Sequence, residues 1–270
     1  MAKEKRSYAK LISFFWLCIT LPVLLFVLLL FAAANSWPGF EPLPKVDDLV
    51  NPKSNLATEV YTADGEVLGK YFYQNRVNVE YEKISPYLVE ALVSTEDERY
   101  YNHSGIDLEG LIRAVVYLGS KGGASTITQQ LAKMLFHERG GSKWQQIKQK
   151  LQEWIIAAQL ERLYTKDEII AMYFNRFDFI NNAVGIKSGA QVYFGTSPDS
   201  LNLQQSATLV GMLKNPALFN PLRRADTVLH RRNVVLAQML RNNKLNQNEF
   251  DSLKALPLEI TYSRVNHKDG

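Results

Sequence analysis

The sequence predicts a mostly α-helical protein with one N-terminal transmembrane helix and a small β-hairpin region. No charged residue lies between Lys10 and Glu41, and most residues in that interval are apolar. Residues 56–84 alternate between apolar and polar types and are rich in Val and Tyr, which is typical of strands. From Ser85 to Lys254 the apolar residues recur with a helical period instead. We therefore expect an anchor, a hairpin and a helical domain, in that order.

Composition and charge set limits on the function. The 270 residues carry 31 Lys and Arg against 27 Asp and Glu, which gives a formal net charge of +4. An excess that small gives no support for nucleic-acid binding. Four His and the single Cys18 are too few and too scattered for a metal cluster, and one cysteine excludes an intrachain disulfide. The chain is long enough for one large core.

The apolar segment 11–34 is the predicted transmembrane anchor. A helix needs about 20 apolar residues to cross a bilayer, and the preceding MAKEKRSYAK is rich in Lys and Arg, which places residues 1–10 in the cytoplasm. The alternative is a cleaved signal peptide, because FAAAN offers small residues for cleavage. The segment is longer than the about 7–15 residues of a signal h-region, which favours an uncleaved anchor.

Four regions follow the anchor. Four prolines and few periodic apolar positions predict a linker over residues 35–55. Asp64-Gly65 between two apolar runs predicts the turn of the hairpin in residues 56–84. In the helical domain, residues 85–254, Thr165 and Glu168 have the spacing of a capping box that begins a helix. Residues 255–270 form a C-terminal segment that reads as the start of a linker to a further domain.

Two adjacent carboxylates close the first predicted helix of the helical domain, in ALVSTEDERYYNHSG. Leu88, Leu92 and Glu96 share one helical face, so Glu96 extends an apolar stripe. Partial desolvation raises the pKa of a carboxyl group toward the range that general base catalysis at neutral pH requires. The alternative is a helix-terminal acid that only caps the helix or pairs with Arg99 or His103.

A second stretch, KGGASTITQQLAKMLF, leads from glycines into a helix. Thr126 and Gln129 have capping-box spacing. Glycine-rich backbone before a helix N-terminus can bind an anion, because free N–H groups and the helix dipole both face the ligand. Lys133 could reach the same anion. The alternative is an ordinary helix start after a loop.

As whole strings, these stretches resemble the motifs of the peptidoglycan glycosyltransferases of glycosyltransferase family 51, the transglycosylase part of class A penicillin-binding proteins and their monofunctional relatives. EDERYYNHSG resembles the first motif, E-D-x-x-F-x-x-H-x-G, with Tyr100 in place of Phe. GASTITQQLAK is nearly identical to the second motif, and KLQEWIIAAQLERLYTKDEIIAMYFN resembles the third and fourth. RRNVVL matches the fifth, R-R-x-x-V-L. The resemblance runs from Ser85 to Met239.

The resemblance implies a lysozyme-like fold and a membrane enzyme that polymerises lipid II. The 4-hydroxyl of lipid II would attack the anomeric carbon of the growing glycan strand with inversion, and undecaprenyl pyrophosphate would leave. Glu96 would be the general base, and Glu153 the second essential acid, which organises the pyrophosphate. The further residues expected to bind substrate are Asp97, His103, Thr126, Gln129, Gln130, Lys133, Lys150, Tyr173, Asn175 and Arg232. No cofactor is required on this basis, although a divalent cation, Mg or Mn, is compatible with the pyrophosphate.

The third motif departs from the family pattern R-K-x-x-E, because Gln149 stands where the family has Arg. A guanidinium is a bidentate phosphate partner. The pyrophosphate contact therefore depends on whether Lys148 or Lys150 substitutes. Without the motif, Lys150 and Glu153 would read as an ordinary surface pair on a helix.

Two rival functions remain open. A lytic transglycosylase or lysozyme-like enzyme that cleaves glycan shares the fold, but STITQQLAK, with its phosphate-directed Lys, argues against it. An inactive cell-wall scaffold is opposed by the presence of both Glu96 and Glu153. The expected partners are lipid II, the growing glycan strand, membrane lipid and other cell-wall synthesis proteins, without nucleic acid. The expected location is the cytoplasmic (inner) membrane, with the N-terminus in the cytoplasm and the catalytic domain on the periplasmic side.

A bifunctional relative would also carry a transpeptidase domain with a Ser-x-x-Lys nucleophile. The only such spacing joins Ser7 and Lys10 in the cytoplasmic flank, and no Lys-Thr-Gly occurs. The sequence is therefore expected to be a monofunctional enzyme or the front part of a bifunctional one. The charged ending YSRVNHKDG favours the second reading.

Overall fold

The computed structural model describes residues 2–50, 58–61, 64, 67–71, 78–117, 123, 125–136 and 141–262. Within these ranges the chain is mostly helical, as predicted, with eleven α-helices, three short 3-10 helices and one two-stranded sheet. The α-helices are α1 Ala2–Ala34, α2 Val46–Val50, α3 Pro86–Glu96, α4 Leu108–Val116, α5 Ile127–Phe136, α6 Lys143–Leu163, α7 Lys166–Arg176, α8 Ile186–Phe194, α9 Leu203–Leu213, α10 Ala225–Arg241 and α11 Gln247–Ala255. The 3-10 helices are Tyr81–Lys83, Tyr100–Asn102 and Pro198–Ser200.

The predicted hairpin is present as the strands β1 (Thr58–Tyr61) and β2 (Val67–Tyr71). They pair antiparallel, with Thr58 opposite Tyr71, and the register shifts at a bulge between Val60 and Tyr61. Gly65 of the predicted turn lies outside the described residues.

The predicted anchor forms the long apolar helix α1. Its segment Tyr8–Ala34 is long and apolar enough to cross a membrane. The segment predicted as a separate N-terminal tail continues this helix from Ala2 onwards. Pro22 lies inside the helix, which is tolerated more readily in membrane helices than in soluble ones.

The predicted linker lies against α6. Gln152 Nε2 donates to the carbonyl oxygen of Glu41 at 2.6 Å, and the Tyr164 hydroxyl donates to that of Leu49 at 2.8 Å. Side chains on α6 therefore hold the described part of the linker, which also forms the short helix α2. Residues 51–55 of the predicted linker lie outside the described residues.

The helices of the helical domain pack in two groups. α3 packs against α9 and α10, and α5 packs against α6 and α7. The predicted capping box at Thr165 and Glu168 begins α7, so the break between α6 and α7 is encoded locally. The core includes fully buried aliphatic and aromatic side chains from both groups: Leu88, Leu92, Tyr100, Ile127, Leu131, Leu160, Ile169, Phe174, Leu209, Val235 and Leu236.

Arg232 on α10 is an internal clamp, and its role in substrate binding stays a prediction. Only 1% of the residue is exposed. Its guanidinium donates to the carbonyl oxygens of Leu253 (3.2 Å), Leu256 (2.8 Å) and Pro257 (2.9 Å). These contacts fasten the end of α11 and the following segment to α10, and burial lowers the pKa of the guanidinium below its usual value. A guanidinium enclosed by main-chain carbonyls has no free donor to offer a ligand.

We predict that Arg232→Met lowers the free energy of unfolding by about 3 kcal/mol, because several buried carbonyl oxygens lose their donor. Arg232→Lys should recover only part of the loss, since an ammonium cannot reproduce the planar fork. Thermal unfolding in detergent measures both, with a midpoint lowered by several degrees in the Met variant. Arg223→Met, at an exposed position, is the control. An Arg232→Met protein as stable as this control would contradict the clamp.

Candidate active site

Glu96 is the last helical residue of α3. Leu88 and Leu92 on the same face are fully buried, as the apolar stripe predicted. Asp97 departs from helical geometry and ends the helix. Glu96 is half-buried, so its carboxylate lies at the boundary between core and surface. The helix thus delivers a carboxylate to the surface on a rigid support.

The carboxylate of Asp97 is directed inward and joins three segments. His103 Nε2 lies 3.0 Å from Asp97 Oδ1, and the backbone N–H of Ile127 donates to Asp97 Oδ2 at 3.0 Å. Ile127 is the first residue of α5, where the helix dipole favours a negative charge. The side chains of Asp97 and His103 are 2% and 8% exposed. In this arrangement both residues support the position of Glu96 from inside the protein.

The loop that carries His103 is fastened by the second motif. Thr126 Oγ1 donates to the carbonyl oxygen of Gly105 at 2.7 Å, and Gln129 Nε2 donates to the same oxygen at 3.2 Å. Gly105 has a φ of +83°, and a Cβ there would lie 2.9 Å from the carbonyl oxygen of Ala157 on α6. Glycine is therefore required for the loop to approach α6 this closely.

Thr126 and Gln129 occupy buried positions, each with 1% of the residue exposed. Thr126 Oγ1 accepts the backbone N–H of Gln129 at 3.1 Å, which is one half of the predicted capping box. The Gln129 side chain turns to Gly105 and so does not complete the box. Both side chains are enclosed and bonded to the loop, and their substrate contacts stay a prediction.

Gln130, the next residue of α5, contacts Glu96 directly. Gln130 Nε2 donates to Glu96 Oε2 at 2.9 Å, and Gln130 Oε1 accepts the hydroxyl of Tyr173 at 3.0 Å. Tyr173 comes from α7 and is 1% exposed. Burial raises the pKa of Tyr173 well above its usual value, and the charge of Glu96 raises it further. The structure therefore brings together Glu96, Gln130 and Tyr173 from three helices.

Arg231 is a cation near Glu96 that the sequence suggested only as scaffold. Burial lowers the pKa of its guanidinium, while the charge of Glu96 acts in the opposite direction. Arg231 Nε donates to the carbonyl oxygen of Gly211 at 3.4 Å, and the guanidinium lies 5.8 Å from the ring centre of Phe219. Arg231 therefore contributes a half-buried positive charge near Glu96. The Arg-Arg pair of the fifth motif was the available signal for it.

A second acidic group lies on α6. Glu153 is 5% exposed, and Lys150 Nζ donates to its Oε2 at 2.9 Å. The same ammonium donates to Ser125 Oγ at 2.9 Å, immediately before α5. Lys150 thus links the third motif to the second. Lys148 is bonded instead to the carbonyl oxygen of Gly39, so Lys150 is the better placed substitute for the missing Arg.

Lys133 is the exposed cation of the second motif. It lies on α5, one helix turn beyond Gln130, and its side chain makes no hydrogen bond or ion pair with any residue that the structure describes. Lys121 and Gly122 of the same motif lie outside the described residues. The side chain of Lys133 is exposed, and its anion contact stays a prediction.

An ion pair that sequence reasoning missed fastens the His103 loop from its other side. Lys166 Nζ donates to the carbonyl oxygen of His103 at 2.6 Å and to Glu161 Oε1 at 2.8 Å. Thr128 Oγ1 donates to the same Glu161 oxygen at 2.6 Å, and Lys166 lies 4.3 Å from the ring centre of Tyr100. Both residues are inside the LERLYTK stretch, but a helical pattern does not reveal a partner 63 residues away.

Asn175 has an internal partner. Its Oδ1 accepts the backbone N–H of Val79 and its Nδ2 donates to the carbonyl oxygen of Val79, both at 2.8 Å. The amide therefore pairs with the main chain ahead of α3 as a neighbouring strand would. With 7% of the residue exposed, Asn175 joins α7 to this segment, and its contact with substrate stays a prediction.

The described residues do not assemble a metal centre. Among them, no three His, Cys, Asp or Glu side chains lie close enough together to hold an ion. A divalent cation prefers several oxygen ligands, and Glu153 is already paired with the Lys150 ammonium. No step of the chemistry is therefore assigned to a metal.

Comparison with known proteins identifies relatives over most of the chain. A family model described as Transglycosylase matches residues 64–240. Penicillin-binding protein 1A of Escherichia coli strain K12 is 38% identical over 224 residues, which is 82% of this chain and 26% of the relative. Penicillin-binding protein 2a of Streptococcus pneumoniae serotype 2 is 35% identical over 220 residues, which is 82% of this chain and 28% of the relative.

A crystal structure of penicillin-binding protein 1A from Haemophilus influenzae aligns with a TM-score of 0.43 and 21% identity, over 78% of this chain and 22% of that one. The chain thus spans between a quarter and a third of the length of the curated relatives described above. Because the Transglycosylase model matches more than half of it, the chain belongs to the transglycosylase family, and its helical domain is a peptidoglycan glycosyltransferase domain homologous to the transglycosylase part of class A penicillin-binding proteins.

Proposed function

We propose that the protein is a membrane-anchored enzyme that polymerises lipid II into glycan strands, with Glu96 as the general base. Transglycosylases act on lipid-linked glycan substrates. The observation that carries the proposal is the carboxylate of Glu96, which a rigid helix brings to the surface and which Gln130 holds through one oxygen. An alcohol is a weak nucleophile and needs such a base to remove its proton as it attacks.

In the proposed step, the 4-hydroxyl of lipid II gives its proton to Glu96 while its oxygen attacks the anomeric carbon of the growing strand. The bond between that carbon and the pyrophosphate oxygen breaks, the configuration inverts, and undecaprenyl pyrophosphate leaves with the electron pair. Arg231, whose charge interacts with Glu96, supplies a positive charge beside the proposed base. Asp97 and His103 keep the end of α3 in place.

The leaving group needs positive charge more than it needs an acid, because a pyrophosphate departs as an anion. Lys150 and Lys133 are the proposed cations. Lys150 is held by Glu153 and Ser125 in the correct place for a fixed donor, and Lys133 is exposed and unbonded among the described residues. Glu153 would then orient Lys150, whose ammonium supplies positive charge to the departing pyrophosphate.

The membrane placement follows from exposed apolar surface. Leu108, Ile112 and Val116 form one face of α4 and are each more than 60% exposed. Such a face suits the interface of a bilayer. On α6, Trp154 packs edge-on against Phe26 of the anchor helix, with ring centres 5.7 Å apart. These contacts support a domain that rests on the membrane. The Lys and Arg of residues 1–10 support a cytoplasmic N-terminus, with the domain on the other side.

We predict that Glu96→Gln lowers polymerisation of purified lipid II by about 100-fold or more, because the amide cannot accept the proton. The detergent-solubilised full chain would be assayed for glycan product and for release of the lipid pyrophosphate. Glu90→Gln, on the same helix at a surface ion pair with Lys244, is the matched control and should keep its activity.

Equal activity of the Glu96→Gln and wild-type proteins would rule out Glu96 as the base. Digestion of preformed glycan in place of polymerisation would support the lytic alternative. A folded wild-type protein that neither polymerises nor cleaves would support the scaffold alternative.

We predict that Lys150→Met lowers kcat/KM for lipid II by about 10- to 100-fold, the value of one hydrogen bond to a charged group. Lys148→Met removes the same charge two residues earlier on α6, where the side chain bonds to Gly39. A comparable loss in both variants would show that net charge, and not the position of Lys150, accounts for the effect.

A further inference from the structure

Three side chains from three helices form one hydrogen-bonded chain that ends at Glu96. The Tyr173 hydroxyl donates to Gln130 Oε1 at 3.0 Å, and Gln130 Nε2 donates to Glu96 Oε2 at 2.9 Å. Tyr173 belongs to α7, Gln130 to α5 and Glu96 to α3. The sequence places Gln130 and Tyr173 in motifs and suggests substrate contacts for them, but the geometry directs their polar atoms at one another.

The direction of each hydrogen bond in this chain follows from which groups can donate and which can only accept. An ionised carboxylate can only accept hydrogen bonds, so the Gln130 amide must present its NH₂ group to Glu96. Its oxygen then faces Tyr173, which must donate. Tyr173 is 1% exposed, and burial together with the charge of Glu96 raises the pKa of its hydroxyl well above the usual value, so the donor proton is retained at every working pH.

The hydrogen-bonded chain makes the two carboxylate oxygens of Glu96 unequal. Oε2 already accepts the Gln130 amide, whereas no hydrogen bond to Oε1 is formed by the described residues. Without Tyr173 the amide of Gln130 could rotate and present its oxygen to the carboxylate, which would be repulsive. Tyr173 therefore acts on Glu96 through Gln130.

We propose that Tyr173 and Gln130 are positioning residues that lock Glu96, so that Oε1 is the atom that takes the proton of the attacking hydroxyl. The proposal rests on the proposed role of Glu96 as the base. When the hydroxyl oxygen bonds to the anomeric carbon, its proton moves to Oε1, and the bond to the pyrophosphate oxygen breaks with its electron pair. The Gln130 amide remains bonded to Oε2 throughout and favours the ionised carboxylate between turnovers.

Other charges also act on Glu96, and they set the background for a test by pH. Arg231 contributes a positive charge from α10. Asp97 follows Glu96 in the chain, but His103 and the N–H of Ile127 hold its carboxylate inward. These groups are unchanged in variants of Tyr173 and Gln130. A shift in the pH profile of such a variant would therefore come from the loss of a hydrogen bond in the chain.

The test is the pH dependence of kcat/KM for lipid II with the full-length protein in detergent. Gln130→Met removes the donor to Glu96, disfavours the ionised base, and should move the acid limb up by about one pH unit. Tyr173→Phe removes one oxygen atom and should move the same limb up by about half a unit, since the amide becomes free to rotate. The double variant should show the shift of Gln130→Met alone, because Tyr173 acts only through Gln130.

The matched control is Tyr193→Phe. Tyr193 is also fully buried, and its hydroxyl donates to the carbonyl oxygen of Phe179 at 2.7 Å and accepts the side-chain amide of Asn181 at 2.8 Å. Loss of that hydroxyl should lower stability by a similar amount and leave the acid limb in place.

The outcomes separate the two proposals. An unshifted limb in both Gln130→Met and Tyr173→Phe would overturn the positioning role, and so would additive shifts in the double variant. An equal shift in Tyr193→Phe would assign the effect to general loosening and overturn it as well. Failure of the base assignment itself would appear elsewhere, as normal polymerisation by Glu96→Gln.

Discussion

The buried carboxylate of Asp97 holds the end of α3, the His103 loop and the first turn of α5 in one hydrogen-bonded unit. Burying a charge costs free energy unless the charge is paired and hydrogen-bonded. Here the His103 ring and the N-terminus of α5 both bond to the Asp97 carboxylate. Because Glu96 is the preceding residue, its position follows from this contact. The geometry of the proposed base therefore depends on a neighbour that is almost completely enclosed.

A second enclosed ion pair, Lys166 and Glu161, stabilises the His103 loop from its other side. The side chains of Lys166 and Glu161 are 21% and 6% exposed. Removing both charges from water costs free energy, and the attraction between the two charges does not offset that cost alone. The offset comes from Thr128, which donates to Glu161, and from the His103 carbonyl, which accepts from Lys166. Much of the motif sequence thus serves to fix backbone around the site, and fewer of its residues than the motifs suggest are free to meet a ligand.

Helix α6 connects this site to the membrane. It carries Lys150 and Glu153 in its middle, and Trp154 beside them packs on Phe26 of the anchor helix. Gln152, between Lys150 and Glu153, holds the segment that leaves the anchor by donating to the carbonyl oxygen of Glu41. The proposed pyrophosphate contacts and the anchor are therefore supported by a single rigid element, which suits a substrate whose phosphates lie at the membrane surface.

The sequence by itself determined the anchor, the hairpin, the helix-rich domain and the α7 capping box, because each depends on local apolar period or cap chemistry. It also identified Glu96 as the candidate general base, because an apolar helical stripe that ends in an acidic residue is visible in the local sequence. Only the tertiary structure decided which polar motif residues face inward. Thr126, Asn175 and Arg232 bond to backbone 21, 96 and 25 positions away, respectively. A polar residue looks the same in sequence whether its partner is a ligand or a distant main-chain carbonyl, and only packing distinguishes the two.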